Sequence, residues 1–203
     1  MSVAAIILAA GESRRMCRPK ALLPFRNGTF LTVLAETLGL YCSPVYAVFG
    51  FDAEQLMASA PASVIAVENP DYRLGMLTSL QAGLRAIYEP EPAAGDKIAC
   101  PTRVLFTLVD HPALANGTVR DLLRSDASLA IPRYAGKRGH PVIVRREIAL
   151  EVMAEPVTSK LNDVLDRHRS GIHYIDVDDP AVRDDIDDPQ LYQDLLARDG
   201  ARV

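Results

Sequence analysis

Four short apolar runs recur along the chain: Val3 to Leu8 (VAAIIL), Val45 to Phe49 (VYAVF), Ser63 to Val67 (SVIAV) and Val104 to Val109 (VLFTLV). Runs this brief, rich in β-branched residues, suit strands covered on both faces. The segments between them place apolar residues at three- and four-residue spacing, which suits helices. Repeated strand and helix units imply a mostly parallel sheet with helices packed on both of its faces. The expected class is α/β, a three-layer α/β/α sandwich. At 203 residues and 49% hydrophobic content, a single domain spanning residues 1–203 buries the core this requires.

The finer pattern supplies expected boundaries. Leu31, Leu34, Leu38 and Tyr41 mark one face of a helix from Thr29 to Tyr41, with Thr29 as its cap. Asp52 is expected to cap a helix running through Ala60, and Met76 to Tyr88 has helical spacing. The Pro- and Gly-bearing segment from Glu89 to Thr102 reads as an exposed loop, with Glu89 to Ala99 the candidate for a mobile insertion. Ser128 to Ile131, Pro141 to Val144 and Ile172 to Val177 read as strands. Arg146 to Met153, Lys160 to His168 and Pro189 to Arg198 read as helices.

Parallel sheets bind ligands beyond the carboxyl ends of their strands, so the loops after Leu8, Val67 and Val109 should line one crevice. The first of them joins Ala9, Ala10 and Gly11 to Arg14, Arg15, Arg18 and Lys20, four cations in seven residues. Small side chains let backbone N–H groups approach phosphate oxygens, and the cations supply counter-charge. Neither a Walker A spacing nor the three-glycine dinucleotide fingerprint is present. An ordinary βα loop with solvated cations is the alternative.

Asp110 stands at the carboxyl end of an apolar run, where a divalent ion can meet a triphosphate; capping the following turn is its other use. The segment from Asp176 to Asp188 holds seven aspartates, most of which must be solvated or serve as caps. Asp185 and Asp187 flank Ile186 and project together if the segment is extended, so they are the candidate second metal carboxylates, Asp185 ahead of Asp187. Gly75 and Ser79 open the helix after the Asn69 loop; helix-start hydrogen bonding alone also accounts for Ser79. His140 is either an acceptor ligand or a turn residue before Pro141, with Arg133, Lys137 and Arg138 nearby to suit an anion. Cys17, set among cations, is either a reactive thiol or a small loop filler.

A net charge of −4 argues against a nucleic-acid-binding surface and leaves the local basic cluster for small anions. Three cysteines without CxxC spacing indicate neither a disulfide framework nor a zinc site, so a reducing cytoplasm is expected. No charged segment precedes the first apolar run, and no apolar stretch approaches the ~18 residues of a membrane span, so neither a cleaved leader nor a membrane is expected.

The string from Ile7 to Phe25, ILAAGESRRMCRPKALLPF, resembles the LAAGxSxRMxxPKxLLP signature of the MobA-like nucleotidyltransferases. Its LAAG and PK spellings resemble the molybdenum cofactor cytidylyltransferase branch. Asn69 to Leu84 (NPDYRLGMLTSLQAGL), Leu108 to Pro112 (LVDHP), Pro132 to Val144 (PRYAGKRGHPVIV) and Asp184 to Tyr192 (DDIDDPQLY) agree in order and spacing. The likeness thus spans nearly the whole chain. Two departures are Cys17 where the family usually has Gly, and Thr158 to Gly171 where a Gly-Ala-Arg-bearing segment is usual.

The resemblance implies a Rossmann-like fold of the nucleotide-diphospho-sugar transferase type. It implies Mg²⁺-dependent transfer of an NMP from an NTP, CTP ahead of GTP, to a phosphate acceptor such as molybdopterin, with release of pyrophosphate. By the same resemblance Arg15, Lys20 and Asp110 are catalytic, and Asp110 with Asp185 or Asp187 holds the metal. Leu8, Ala9, Ala10, Gly11, Arg15, Lys20, Gly75 and Ser79 bind the nucleotide, and His140 binds the acceptor. Two alternatives remain: transfer to a sugar or alcohol phosphate, and a non-catalytic nucleotide- or cofactor-binding maturation factor serving a molybdenum-enzyme client.

Overall fold

The computed structural model describes residues 2–89 and 100–200. The candidate insertion from Glu89 to Ala99 falls almost wholly outside those residues. The strands are β1 (Val3–Ala9), β2 (Pro24–Phe25), β3 (Gly28–Thr29), β4 (Val45–Phe49), β5 (Ile65–Glu68), β6 (Arg103–Leu108), β7 (Leu129–Tyr134), β8 (Lys137–Arg138), β9 (Val142–Arg145) and β10 (Ile172–Asp176). The helices are α1 (Phe30–Gly39), α2 (Ala53–Ala58), α3 (Met76–Tyr88), α4 (Asn116–Arg124), α5 (Arg146–Ala154), α6 (Leu161–Arg167) and α7 (Pro189–Gly200).

The main sheet has the order β10-β7-β9-β6-β1-β4-β5, with β8 added on β7, while β2 and β3 form a separate small ribbon. β1 is central and pairs in parallel with both β4 and β6. Its pleat divides the core. Ala5, Ile7 and Ala9 join one apolar cluster with Phe30 and Leu34 of α1, Leu56 of α2, Leu122 of α4 and Leu195 of α7. Ala4, Ile6 and Leu8 join the other with Leu80 and Leu84 of α3, Ile148 of α5 and Val164 of α6. Alternate side chains of one strand feeding two helical layers is the α/β/α sandwich expected from the sequence.

The boundaries follow their local causes. Thr29 caps α1, and with Thr32 it completes a reciprocal capping box. α3 spans the residues expected of it, from Met76 to Tyr88. Asp52 does stand before α2, but its backbone is left-handed at φ 52 and its side chain caps nothing; α2 stops at Ala58, not Ala60. α4 was not expected, because its apolar content is thin: Val119 and Leu122 alone among its apolar side chains are buried. β9 reverses direction, running antiparallel to both β6 and β7. An apolar run has the same composition in either direction, so the Pro141 segment read as a strand without an orientation.

Candidate active site

A cavity of about 530 Å³ opens beyond the carboxyl ends of β1 and β6, lined by the loops after β1, β5 and β6. Its size suits a nucleotide-scale ligand. Leu8, Ala9, Ala10, Gly11, Arg15, Lys20, Gly75, Ser79, Asp110 and Asp187 all line it, whereas Asp185 and His140 do not. The lining also takes in Arg14, one of the four loop cations, and Glu12, Ser13, Tyr72 and Met76, none of them singled out from the sequence as a site residue.

The loop after β1 winds through two single 3₁₀ turns, Arg14–Met16 and Lys20–Leu22. Ser13 and Cys17 flank the first turn, both with left-handed backbone, at φ 50 and φ 55. That conformation favours glycine and explains why a Gly suits position 17; Cys17 adopts it at a cost of roughly 1–2 kcal/mol. The Ser13 hydroxyl accepts from the Lys20 amide at 3.2 Å, which orients the second turn.

Lys20 then reaches across the cavity. Its ammonium donates to Asp110 Oδ2 at 2.9 Å and to Asp187 Oδ1, and Arg15 donates to Asp187 Oδ2 at 2.6 Å. Burial by itself would lower the Lys20 pKa, but Asp110 and Asp187 outweigh it and leave the ammonium above its ordinary value. Burial would likewise raise Asp187, and Lys20 and Arg15 reverse that, holding it below the ordinary carboxylate range. Glu12 pairs with Arg14 on the same wall, and lies 3.7 Å from Arg73 of the loop after β5.

On the opposite wall, Gly75 has φ +121, a backbone that a side chain would strain, and leads into α3. Ser79 and Thr78 are buried, and both hydroxyls accept from the amide of Asn69, at 3.0 and 3.1 Å. Asn69 was missed from the sequence; the Asn-Pro step before a helix is its only local signal. Because Ser79 accepts from Asn69, its own hydroxyl hydrogen is available to a cavity ligand.

Behind Asp110 lies a layer the sequence did not reveal. Asp179 accepts from Ala115 N at 3.0 Å, from Thr118 at 2.7 Å and from Ala181 N at 3.1 Å, tethering the acidic segment to the start of α4. Ile186 N donates to Asp110 O at 3.1 Å, so the backbones carrying Asp110 and its acidic neighbours are joined directly. His111, 1% exposed, has Nδ1 3.0 Å from Ala181 O. Its Nε2 lies 3.0 Å from Asp185 Oδ1 and 3.8 Å from Asp110 Oδ1. Neither approach has hydrogen-bond geometry, and Nε2 and Asp110 Oδ1 are both buried without a partner among the described residues. Burial would lower the His111 pKa, and Asp185 and Asp110 outweigh it in the raising direction. Asp185 itself is held low by His111.

His140 stacks at a tilt on His111, with ring centroids 5.2 Å apart, beneath the cavity and not on its wall. Burial and the neighbouring His111 depress its pKa to about 4. Of the cations near it in sequence, Arg133 pairs with Asp176 at 2.7 Å and Arg138 lies 3.6 Å from Asp166. Cys17 is exposed within the loop after β1, with Sγ 3.8 Å from Arg14 O.

A mostly parallel sandwich whose cationic βα loop faces carboxylates from two later segments defines the nucleotidyltransferase class. Comparison with known proteins agrees. Residues 5–172 match the family described as the MobA-like NTP transferase domain, and the chain belongs to that family. It is 28% identical over 189 residues to the molybdenum cofactor cytidylyltransferase of Escherichia coli (strain K12), covering 91% of this chain and 90% of that one. It is 35% identical over 157 residues to nicotine blue oxidoreductase of Paenarthrobacter nicotinovorans, covering 70% of each. A probable molybdenum cofactor guanylyltransferase of Mycobacterium ulcerans (strain Agy99) is 33% identical over 181 residues, with 83% of each covered. Among solved structures, Rv0371c of Mycobacterium tuberculosis H37Rv superposes with a TM-score of 0.77 at 25% identity, over 97% of this chain and 98% of that one. Among the described residues no helix is long and apolar enough to cross a membrane.

Proposed function

We propose that this chain transfers a nucleotidyl group from an NTP, CTP in preference to GTP, onto the phosphate of a molybdopterin-type acceptor in molybdenum cofactor maturation. The observation that carries it is Lys20 Nζ bridging Asp110 and Asp187, beside Arg15, on the wall formed by the small residues Ala9 to Gly11. The extent of likeness to the cytidylyltransferase of Escherichia coli supports CTP, and the relatives' names support the acceptor.

In the proposed reaction an oxygen of the acceptor phosphate attacks the α-phosphorus. A new P–O bond forms, the α–β P–O bond breaks, and pyrophosphate leaves with the electron pair. A phosphate monoester is already largely ionised at pH 7, so no general base is needed. The Ala9–Gly11 backbone seats the triphosphate, while Gly75 and Ser79 hold the base. Lys20 and Arg15 stabilise charge growing on the transferred phosphoryl and leaving pyrophosphate, and Asp187 orients both cations.

Asp110 and Asp185 are the carboxylates that would hold a Mg²⁺ or similar divalent ion, and the buried, unpartnered Oδ1 of Asp110 fits that role. When bound, such an ion supplies charge neutralisation on the phosphates. Pyrophosphate release measured with CTP and with GTP, with molybdopterin as acceptor, tests the proposal. A higher kcat/KM with CTP is expected. Absence of release with both nucleotides overturns the transferase, and a GTP preference overturns the base assignment.

A further inference from the structure

We infer that His111 is a third ligand, with Asp110 and Asp185, to the divalent cation, and that it makes this site favour an ion that accepts imidazole nitrogen, such as Mn²⁺, over Mg²⁺. This rests on the divalent-cation role proposed above.

One oxygen of Asp110, one of Asp185 and one ring nitrogen of His111 lie within 4.8 Å of one another. Acidic side chains gather on many protein surfaces, so the carboxylates alone would mean little. The imidazole is what distinguishes this group. It is 1% exposed, and its Nε2 points between the two carboxylates without a hydrogen-bond partner among the described residues. A cation held there would take the place of a proton facing Asp185 Oδ1, 3.0 Å from this nitrogen.

The other ring nitrogen settles which atom faces the ion. Ala181 O, 3.0 Å from Nδ1, can only accept, so Nδ1 carries the hydrogen and Nε2 is left with a lone pair in the neutral ring. A backbone carbonyl holding the far nitrogen is the usual way a metal-binding histidine is oriented. That carbonyl is itself held rigidly. Asp179 accepts from Ala181 N at 3.1 Å, and Gly139 sits so close that a Cβ there would meet Val182 O at 2.1 Å. His140 N donates to that same Val182 O at 2.8 Å.

The pairing of the aspartates separates their tasks. Asp187 has both oxygens engaged, by Lys20 and Arg15, so its charge is already matched. Asp110 spends Oδ2 on Lys20 and turns Oδ1 toward His111 and Asp185. The donor set is thus two carboxylates and one imidazole. Mg²⁺ is satisfied by oxygen ligands and water, whereas imidazole adds affinity for Mn²⁺, Co²⁺ or Zn²⁺.

Electron spin resonance of the full chain with Mn²⁺ and no nucleotide provides the test. Bound Mn²⁺ should show electron spin echo modulation from a directly coordinated ¹⁴N. His111→Asn places an amide donor where Nδ1 was, keeping the bond to Ala181 O while removing Nε2. That variant should lose the nitrogen modulation and bind Mn²⁺ at least roughly tenfold more weakly, with a smaller change for Mg²⁺. His140→Gln should keep the modulation.

Failure to bind Mn²⁺, bound Mn²⁺ without nitrogen modulation, or modulation that survives His111→Asn each overturns the inference. Equal weakening of Mn²⁺ and Mg²⁺ overturns the claimed selectivity. If His111→Asn does not fold, the wild-type spectrum decides alone. Pyrophosphate release in parallel separates the two proposals, since turnover without nitrogen coordination removes only this one.

Discussion

Replacing Lys20 with Met keeps the aliphatic stem, removes the ammonium, and leaves Asp110 without its cation and Asp187 with Arg15 alone. Lys20 and Asp110 are only 12% and 15% exposed at the side chain, so solvent screens this pair weakly. Each charge-assisted hydrogen bond contributes roughly 1.5–3 kcal/mol, and relief of the ammonium's burial offsets a good part, so the net loss is about 2 kcal/mol. For a chain of this length that corresponds to a fall in Tm of about 4–8 °C. The loss must depend on pH. Lys20 has a raised pKa, so its contribution persists through neutral pH and fades only in alkali. Asp187 is lowered from 3.8, so its contribution is present above that value and is lost as the pH falls through its folded pKa. The Tm difference between wild type and Lys20→Met should therefore be full at pH 7 and shrink below about pH 4. Turnover should fall further than stability, by about 10³-fold, because the ammonium faces charge that grows during transfer. Differential scanning calorimetry at several pH values and pyrophosphate release on the same samples measure both. A Tm difference that does not change with pH would refute the charge bridge, and turnover within tenfold of wild type would refute the catalytic role.

Other outcomes follow from the same geometry. Asn69→Ala removes the donor that holds the Ser79 hydroxyl, while Thr78 stays bonded to Asp71 O and Gly75 O, so KM for the nucleotide should rise about tenfold with little change in kcat, read from steady-state kinetics. His140 has its pKa depressed to about 4 from 6.5, so wild-type stability should fall as the pH drops from 6.5 towards 4, by up to about 3 kcal/mol. His140→Gln should lose that part of the slope in urea titrations. Gly83 of α3 would place a Cβ 3.0 Å from Ile6 and 3.1 Å from Val48, so Gly83→Ala should destabilise by about 1–2 kcal/mol in chemical unfolding. Cys42 is buried with its pKa pushed up to about 12, while Cys17 and Cys100 are exposed; native protein should therefore titrate with two fast thiols and a third only on unfolding.

Much of this was legible without coordinates, and for a local reason. Strand and helix periodicity, the Thr29 cap and the strand ends all depend on neighbours a few residues away, so α1, α3, β1, β4 and β6 could be read from spacing. The rule that ligands sit beyond the carboxyl ends of parallel strands then put Gly11, Gly75 and Asp110 on one cavity. α4 escaped because its apolar side is slight, and the reversal of β9 escaped because direction leaves no mark on composition.

The sequence by itself determined the layered α/β class, the cationic loop and the short list of aspartates from which a site could be built. Only the tertiary structure decided how those aspartates divide, with Asp187 given to Lys20 and Arg15 and Asp185 turned to His111. It also brought Asn69 to Ser79 and laid His140 under His111 rather than on the cavity wall. The reason is that Asp185 and Asp187 are two residues apart along the chain but take their partners from segments far away in it. Which carboxylate meets which cation is set by the bond from Ile186 N to Asp110 O and by the Asp179 tether, contacts that exist only once the sheet has closed.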